Sequence, residues 1–288
     1  MPDLHVRTDL ALEARESIRE ANPSSHGINV KEFHYDKEEI HVTKVDIETK
    51  NAAKELGKPI GTYITLEAPH LCEPDDGYHI EISKAIAKEL KAMIPIDQFP
   101  CSILIIGLGN RFVTPDALGP QVIDNLMITR HIVREYGAAA YDRESINSIS
   151  ALFPGVMAQT GMEALEIIHG VTTETSPDYA IVIDALAARS IKRLNRTIQI
   201  TDTGIMPGSG VGNHRNAITS ETLGIPVIAI GIPTVVDAQT IVNEAVDTSL
   251  SHSAPPELAN FYVTPKDIDE IIKRISFTLS EAINQTLC

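Results

Sequence analysis

The stretch SILIIGLGNRFVTPDALGP, residues 102–120, decides the fold. It opens with a short apolar run of the kind that forms a buried parallel strand, and the glycines and the Thr114-Pro115 pair that follow indicate a loop and the start of a helix. Ligands in open α/β sheets bind where parallel strands end. Asp116 is therefore predicted to lie at a strand-to-helix turn, in a position suited to chemistry.

The same turn also has a purely structural interpretation. Thr114 is a good N-cap, Pro115 suits the first helical position, and Asp116 complements the helix dipole. Gly107 and Gly109 lack the third glycine of a dinucleotide-binding loop, and no Gly-Lys-Ser/Thr follows for a P-loop. The stretch thus predicts a helix cap or a functional carboxylate, but not a nucleotide site.

A second aspartate occupies an equivalent kind of place. The apolar run Tyr179–Ile183 is another strand candidate, and Asp184 follows it directly. If the two strands are neighbours in one parallel sheet, Asp116 and Asp184 face each other across its edge. Paired carboxylates titrate together, and such a pair can activate water and protonate a leaving group.

Strand and helix patterns alternate along the chain, which predicts an α/β fold with a mostly parallel twisted sheet and helices on both faces. The N-terminal third predicts additional strands that flank this sheet. Strands are predicted within Gly27–Ile47 and at Gly61–Leu66, Thr197–Ile200 and Pro226–Gly231, and helices at Ile80–Met93, Asp116–Tyr136, Val156–His169 and Pro265–Leu287.

Composition limits the possible partners. A formal net charge of −15 argues against binding to nucleic acid, because phosphate contacts require clustered Lys and Arg. No apolar stretch is long enough to span a membrane, and Met1–Arg7 lacks the pattern of a signal segment, so a cytoplasmic location is expected. Cys72, Cys101 and Cys288 have no metal-binding spacing and are expected to be reduced structural thiols.

Four motifs together resemble one known family: GLGN (107–110), VTPDALGP (113–120), VIDALA (182–187), and TDTGI followed by PGSGVGN (201–213). They are similar to the germination proteases of spore-forming bacteria, and the resemblance covers nearly the whole chain. That family comprises endopeptidases that degrade small acid-soluble spore proteins during germination. Its members are made as zymogens that remove their own N-terminal propeptide, and their fold resembles that of hydrogenase maturation endopeptidases.

The resemblance implies that Asp116 and Asp184 are the catalytic residues of an atypical aspartic-type endopeptidase. It implies no cofactor and no obligatory metal, and it leaves open which aspartate is the acid and which the base. Small acid-soluble spore proteins are the implied substrates, and a homotetramer in the cytoplasm of the forespore and in the spore core is the implied assembly. Direct binding to nucleic acid or to a membrane is not expected.

The N-terminal sequence RTDLALE, residues 7–13, places an acidic residue before a bulky apolar one and an alanine. This order resembles the cleavage sequence of the family's substrates, and it implies self-cleavage between Asp9 and Leu10. Residues 1–9 would then be a propeptide, and residues 10–288 a single peptidase domain with its core at about 100–288. The structural alternative is a helix start that is capped by Thr8 or Asp9.

The family-like segments hold further candidates for supporting or substrate-binding roles. A single Asp202-Thr-Gly204 does not make a pepsin-like site, which needs two copies. The glycine-rich loop after it offers backbone N–H groups to an oxyanion, and the alternative is a plain tight loop. Asp237 is a candidate for a supporting role near the site, and the alternative for it is a helix cap. The candidates are Asn110, Asp202, Gly204, Gly208, Gly210, His214 and Asp237.

Two other functions remain open from sequence. His214 beside the two aspartates would complete a metal site like that of the hydrogenase maturation relatives, which bind nickel through carboxylates and histidine, and the chain would then be a metal-dependent peptidase. No His-x-x-x-His or Cys-x-x-Cys spacing supports a metal. The other possibility is a noncatalytic module that recognises a protein partner through the loop Gly204–Gly212.

Overall fold

The computed structural model describes residues 10, 27–35, 39–94, 100–138, 146–208, 215–245, 255, 258 and 261–288. These residues form one β-sheet of nine strands with helices on both faces. The strands are β1 (Ile28–Tyr35), β2 (Ile40–Ile47), β3 (Gly61–Glu67), β4 (Ser102–Gly107), β5 (Ser148–Leu152), β6 (Tyr179–Ala188), β7 (Thr197–Thr201), β8 (Val227–Asp237) and β9 (Tyr262–Val263).

The helices vary widely in length. They are α1 (Lys50–Leu56), α2 (Asp76–Met93), α3 (Leu118–Asp124), α4 (Arg130–Tyr136), α5 (Met157–Thr160), α6 (Ala164–Thr175), α7 (Ser220–Leu223), α8 (Ala238–Ala245) and α9 (Ile268–Leu287). Two 3-10 turns, Thr114–Asp116 and Ile191–Arg193, also lie within the described residues. Within the described ranges, none of the helices combines the length and the apolar character that a membrane span requires.

The sheet is mixed, so the expectation of a mostly parallel sheet is wrong. The strand order is β1-β2-β3-β7-β8-β6-β4-β5, and β9 pairs with β8. Only β8, β6, β4 and β5 are mutually parallel, whereas β1, β2, β3 and β7 run antiparallel to their neighbours. Parallel neighbours need a crossover of a dozen or more residues. Residues 189–196, which join β6 to β7, are too few for one, and β7 returns antiparallel beside β8.

The alternation of side chains gives the sheet two unequal faces. The first face carries one large apolar cluster that includes Ile103, Ile105, Ile181 and Ile183, and α2, α3 and α9 cover it. The second face carries two smaller clusters. One surrounds Leu104, Ile106 and Val182 and packs against α6 and α7, and the other joins Val45, Ile47 and Tyr63 to α1.

Two predicted elements are longer than expected. The strand predicted at Tyr179–Ile183 continues to Ala188, and the strand predicted at Pro226–Gly231 continues to Asp237. The extra residues of β6 and β8 pair with each other up to Ala188 and Val236. Asp184 therefore lies inside a strand rather than at its end.

Two predicted crossover helices are divided. The segment Asp116–Tyr136 forms the end of a 3-10 turn, followed by the two separate helices α3 and α4. Between these helices, the Thr129 hydroxyl group donates to the Asn147 carbonyl oxygen and accepts the Ile149 N–H. The segment Val156–His169 is interrupted at Gly161, whose φ of 73° ends α5. The predicted terminal helix begins at Ile268, after Pro265.

Candidate active site

The end of β4 leaves a step in the sheet. Gly107, its last residue, pairs with Ile183 of β6, and the Leu108 N–H donates to the Ile183 carbonyl oxygen at 2.8 Å. Strand β6 then continues beside β8 alone, with Asp184 opposite Gly231. Asp184 is thus the first residue of β6 beyond the end of β4.

Asp184 is buried at this step. Its side chain lies on the second face, like those of Ala180 and Val182, because every other residue of a strand points to the same side. It is 6% exposed, and its Oδ1 accepts a hydrogen bond of 2.9 Å from the Ala185 N–H.

The loop after β4 brings Asp116 to the same step. The Asn110 N–H donates to Asp116 Oδ2 at 2.8 Å. Gly109 has a φ of 111°, and a Cβ there would overlap the carbonyl oxygen of Asp116, so only glycine fits. The 3-10 turn that carries Asp116 has Cα atoms within 8 Å of Cα atoms in both β6 and β8. The two aspartates therefore lie at one edge of the parallel half of the sheet.

The capping interpretation of this turn finds no support in its hydrogen bonds. The residue before the 3-10 turn is Val113, and no side chain caps the turn. Helix α3 begins only at Leu118, again without a side-chain cap. The Asp116 carboxylate instead accepts the N–H of Asn110, which precedes it in the loop.

The surroundings of Asp116 make its carboxyl group harder to ionise than a carboxyl group in water. Burial raises the pKa of its carboxyl group, while the Asn110 N–H and the positive charge of Arg215 act in the opposite direction. A carboxyl group with a raised pKa can hold a proton and donate it to a leaving group.

Asn110 connects two loops at this edge. Its Oδ1 accepts hydrogen bonds from the Phe112 N–H at 3.1 Å and from Gln159 Nε2 at 2.9 Å. Gln159 lies on α5, which follows β5, so the amide of Asn110 fixes the position of α5 beside the loop that carries Asp116. A role for Asn110 in supporting the site stays a prediction.

Arg111 stabilises the outer side of the same loop. Its guanidinium group donates to both carboxylate oxygens of Asp124, at 2.9 and 3.1 Å, and lies 4.4 Å from the centre of the Phe153 ring. Phe112, Phe153 and Met157 are 84%, 46% and 40% exposed. Arg111 thus connects the loop after β4 to α3 and to the residue that follows β5.

Asp202 and Gly204 lie away from the aspartate pair. Because β7 is antiparallel to β8, Asp202 lies three residues, or ~10 Å, beyond the level of Gly231 and Asp184, toward the opposite edge. Its Oδ1 accepts the Thr62 N–H at 2.8 Å. Gly204, with a φ of 78°, adjoins the bridge between Ile205 and Ile218.

The remaining candidates have mixed outcomes. Asp237 Oδ1 accepts the N–H groups of Gln239 and Thr240 at 2.7 and 3.4 Å, so it caps α8, as its structural alternative predicted. Gly208 has a φ of 72° at the start of the glycine-rich loop. His214, Gly210 and Asp9 lie outside the described residues, which contain no group of three His, Cys, Asp or Glu side chains that could hold a metal ion.

Comparison with known proteins identifies the family. The family model described as germination protease matches residues 6–257. The chain belongs to the germination protease family.

Germination proteases of several bacteria are similar over most of the chain. The one from Caldanaerobacter subterraneus subsp. tengcongensis is 42% identical over 99% of this chain and 94% of its own length. The one from Clostridium tetani is 42% identical over 99% and 96%, and the one from Priestia megaterium is 48% identical over 86% and 68%. Among solved structures, the NiFe hydrogenase maturation protease HycI from Thermococcus kodakarensis matches with a TM-score of 0.34 and 18% identity, covering 68% of this chain and 98% of its own.

The sequence did not predict that Arg215 and Gln159 act near Asp116. The charge of Arg215 lowers the pKa of Asp116, and Gln159 donates to Asn110. Arg215 follows His214 directly, and a cation after the glycine-rich loop was a usable signal. Gln159 had none, because its role depends on a contact between two loops. A cavity of about 520 Å³ between α2 and α9 includes none of the predicted site residues.

Proposed function

We propose that this germination protease family member is an atypical aspartic-type endopeptidase in which Asp116 and Asp184 act as a pair. The observation that carries the proposal is the step at the end of β4, where Asp184 is buried on β6 and Asp116 is bonded to the Asn110 N–H. Both are carboxyl groups at the carboxyl edge of parallel strands, where α/β proteins bind ligands. No cofactor takes part.

The raised pKa of Asp116 supports the role of general acid for it. The role of general base then goes to Asp184, the other member of the proposed pair. Asp184 accepts a proton from water as the water oxygen attacks the peptide carbonyl carbon. Asp116 then donates its proton to the amide nitrogen, the C–N bond breaks, and a carboxylic acid and an amine are formed. Proton transfer from Asp184 to Asp116 through solvent restores the starting state.

The substrates in this proposal are small acid-soluble spore proteins, cleaved when the spore germinates. The chain is a zymogen that cleaves itself between Asp9 and Leu10, which removes residues 1–9. Full burial of Leu10, at 0% exposed, supports a specific contact between the folded body and the residue after that bond. A homotetramer in the cytoplasm of the forespore and in the spore core completes the proposal, and light scattering after gel filtration tests the tetramer.

The decisive experiment incubates wild type, Asp116→Asn and Asp184→Asn with a small acid-soluble spore protein after mildly acidic pretreatment. Mass spectrometry of substrate and enzyme is expected to show cleavage after an acidic residue and loss of residues 1–9 in the wild type only. Asp202→Asn is the matched control, because it removes a carboxylate from the same chain while it keeps an acceptor for the Thr62 N–H.

Activity in both aspartate variants would refute the pair. Loss of wild-type activity with a chelator, followed by recovery with a divalent metal, would favour the metal-dependent alternative. Intact substrate after long incubation with the wild type would favour a binding module.

A further inference from the structure

The groove of about 520 Å³ between α2 and α9 is open to solvent and has apolar side chains along it. Ile80 of α2 is 53% exposed, and Phe277 of α9 is 55% exposed. Both side chains line the groove. Contact with another apolar surface would remove their area from water, which favours association. The groove is therefore a candidate for a contact with another polypeptide.

The polar side chains that line the same groove already have partners within the chain. His79 Nδ1 lies 2.6 Å from Thr278 Oγ1, and His79 Nε2 lies 2.8 Å from the Glu73 carbonyl oxygen. The Ser83 hydroxyl group donates to the Ile80 carbonyl oxygen at 2.8 Å. An apolar side chain can therefore cover the groove and leave none of these three side chains without a hydrogen bond.

Three residues of α9 that line the groove recur every four positions, which places them on one side of the helix: Lys273, Phe277 and Glu281. Lys273 is exposed and Glu281 is half-buried. Among the described residues, neither has an ion-pair partner. Eight positions of a helix span ~12 Å, so the two charges do not pair within one chain.

The charges on this side of α9 are self-complementary. If two copies of α9 pack antiparallel about a two-fold axis at Phe277, each residue faces the one at the same distance on the other side of Phe277 in the partner. Lys273 and Glu281 are each four positions from Phe277, so opposite charges meet twice. Glu270 and Asn284 are each seven positions away, so a carboxylate meets an amide. Parallel packing would instead place Lys against Lys and Glu against Glu.

We propose that the outer side of α9, with the groove beside it, is an interface with a second copy of this chain. Phe277 lies at the two-fold axis, and two Lys273–Glu281 ion pairs join the chains. The proposal rests on the proposed homotetramer, to which it assigns one interface. A helix of 20 residues is ~30 Å long, and with α2 beside it the face is ~20 Å wide. Two such faces bury ~1,200 Å², the lower end for a specific interface.

The test reverses the two charges in the full-length chain, separately, and measures mass by sedimentation velocity over a range of concentrations. Lys273→Glu brings carboxylates together at both contacts, and Glu281→Lys brings ammonium groups together. Each variant is expected to associate about 10-fold more weakly, and its mass should be half that of the wild type where the wild type is assembled.

An equal mixture of these two variants is the decisive sample. In a pair made of one chain of each, opposite charges meet at both contacts again, so the mixture should regain the mass of the wild type. A variant that had lost its fold could not regain mass in this way. Lys54→Glu on α1, mixed with Glu281→Lys, is the matched control, and this mixture should regain nothing because Lys54 lies outside the interface.

Phe277→Ala tests the apolar centre of the interface. Its mass should also fall by half, because a central aromatic side chain contributes a large share of binding energy. Phe261→Ala is the matched control, since Phe261 is 61% exposed but precedes β9, and it should assemble as the wild type does.

The outcomes separate this interface from the proposed function. Unchanged mass in the charge variants, or no recovery in their mixture, would overturn the interface even if the wild type is a tetramer. A wild type that stays monomeric at every concentration would refute both the interface and the tetramer. Cleavage by the wild type but not by Asp116→Asn reports on the peptidase independently of either result.

Discussion

The fit between Gly109 and Asp116 leaves no space for a side chain at residue 109. Replacement of Gly109 by alanine is expected to cost about 3 kcal/mol or more of unfolding free energy, because a Cβ there overlaps the Asp116 carbonyl oxygen and the φ of 111° is unfavourable for alanine. The displaced Asp116 should also reduce kcat/KM for peptide hydrolysis. Urea unfolding and a peptidase assay measure the two effects.

Gly161→Ala is the control for this prediction. Gly161 has a φ of 73° and a ψ of 4°, and a Cβ there would have no atom within 4 Å, so only the backbone strain of about 1 kcal/mol is expected. Equal losses in the two variants would show that overlap with Asp116 contributes nothing.

The raised pKa of Asp116 also predicts how stability depends on pH. A carboxyl group whose pKa is higher in the folded state favours folding at low pH, and this contribution is lost as the pH rises through the folded-state pKa. Asp116→Asn, which resembles the neutral form, should therefore be more stable than the wild type at pH 7. The difference should shrink as the pH falls through the folded-state pKa and should be gone below about 4, the ordinary pKa of aspartate.

Urea unfolding of both proteins between pH 3 and pH 7 measures this difference. A difference that stays constant over the whole range would contradict the pKa direction given for Asp116.

At the scale of elements, Asn147 connects three parts of the fold. Its Oδ1 accepts the Cys101 N–H before β4 at 2.9 Å, and its Nδ2 donates to the Leu287 carbonyl oxygen at the end of α9 at 2.7 Å. Asn147→Ala removes both of these buried hydrogen bonds and should cost about 2–4 kcal/mol. Differential scanning calorimetry measures the loss.

Asn125→Ala is the matched control. The Asn125 side chain is exposed and donates only to the Gln121 carbonyl oxygen in the same helix, at 2.9 Å, so its removal should change stability by less than about 0.5 kcal/mol. A loss in Asn147→Ala as small as that of the control would mean that the three elements associate without this side chain.

The strands of the parallel half were predictable because buried strands are continuous apolar runs. The run Ser102–Ile106 is β4 without its last residue, and the strand predicted at Tyr179–Ile183 is the first half of β6. Residues 185–188 were not predicted as strand, because small apolar residues after a strand also suit a helix start. Strand direction was missed for β7, since the same pattern fits either direction and pairing with β8 decides it.

Part of the candidate site was also predictable from the sequence, namely the two aspartates. Asp116 and Asp184 stand out in sequence because each is a carboxylate directly after an apolar strand or its loop. Gln159 does not, because its hydrogen bond to Asn110 joins α5 to the loop after β4. Only the folded arrangement of these two segments shows that contact.

At the scale of the whole molecule, the net charge of −15 predicts an effect on substrate choice. Such a protein is repelled by DNA, so it should cleave a spore protein in solution faster than one bound to DNA. Added salt screens this repulsion and also releases the DNA-bound substrate. Initial cleavage rates with and without DNA, measured over a range of salt concentrations, test the prediction. Equal rates at every salt concentration would contradict it.

The two faces of the sheet also place different packing limits on neighbouring residues of one strand. Along β3, Ile64 and Leu66 point into the large cluster of the first face, whereas Thr65 between them points to the other side. The positions on the first face are therefore limited to apolar side chains, whereas Thr43 and Thr65 on the second face are limited in size, since each is 1% exposed. Laboratory selection of folded proteins from a library at Ile64 and Leu66 should recover apolar residues of similar volume, and one at Thr43 and Thr65 should recover small residues.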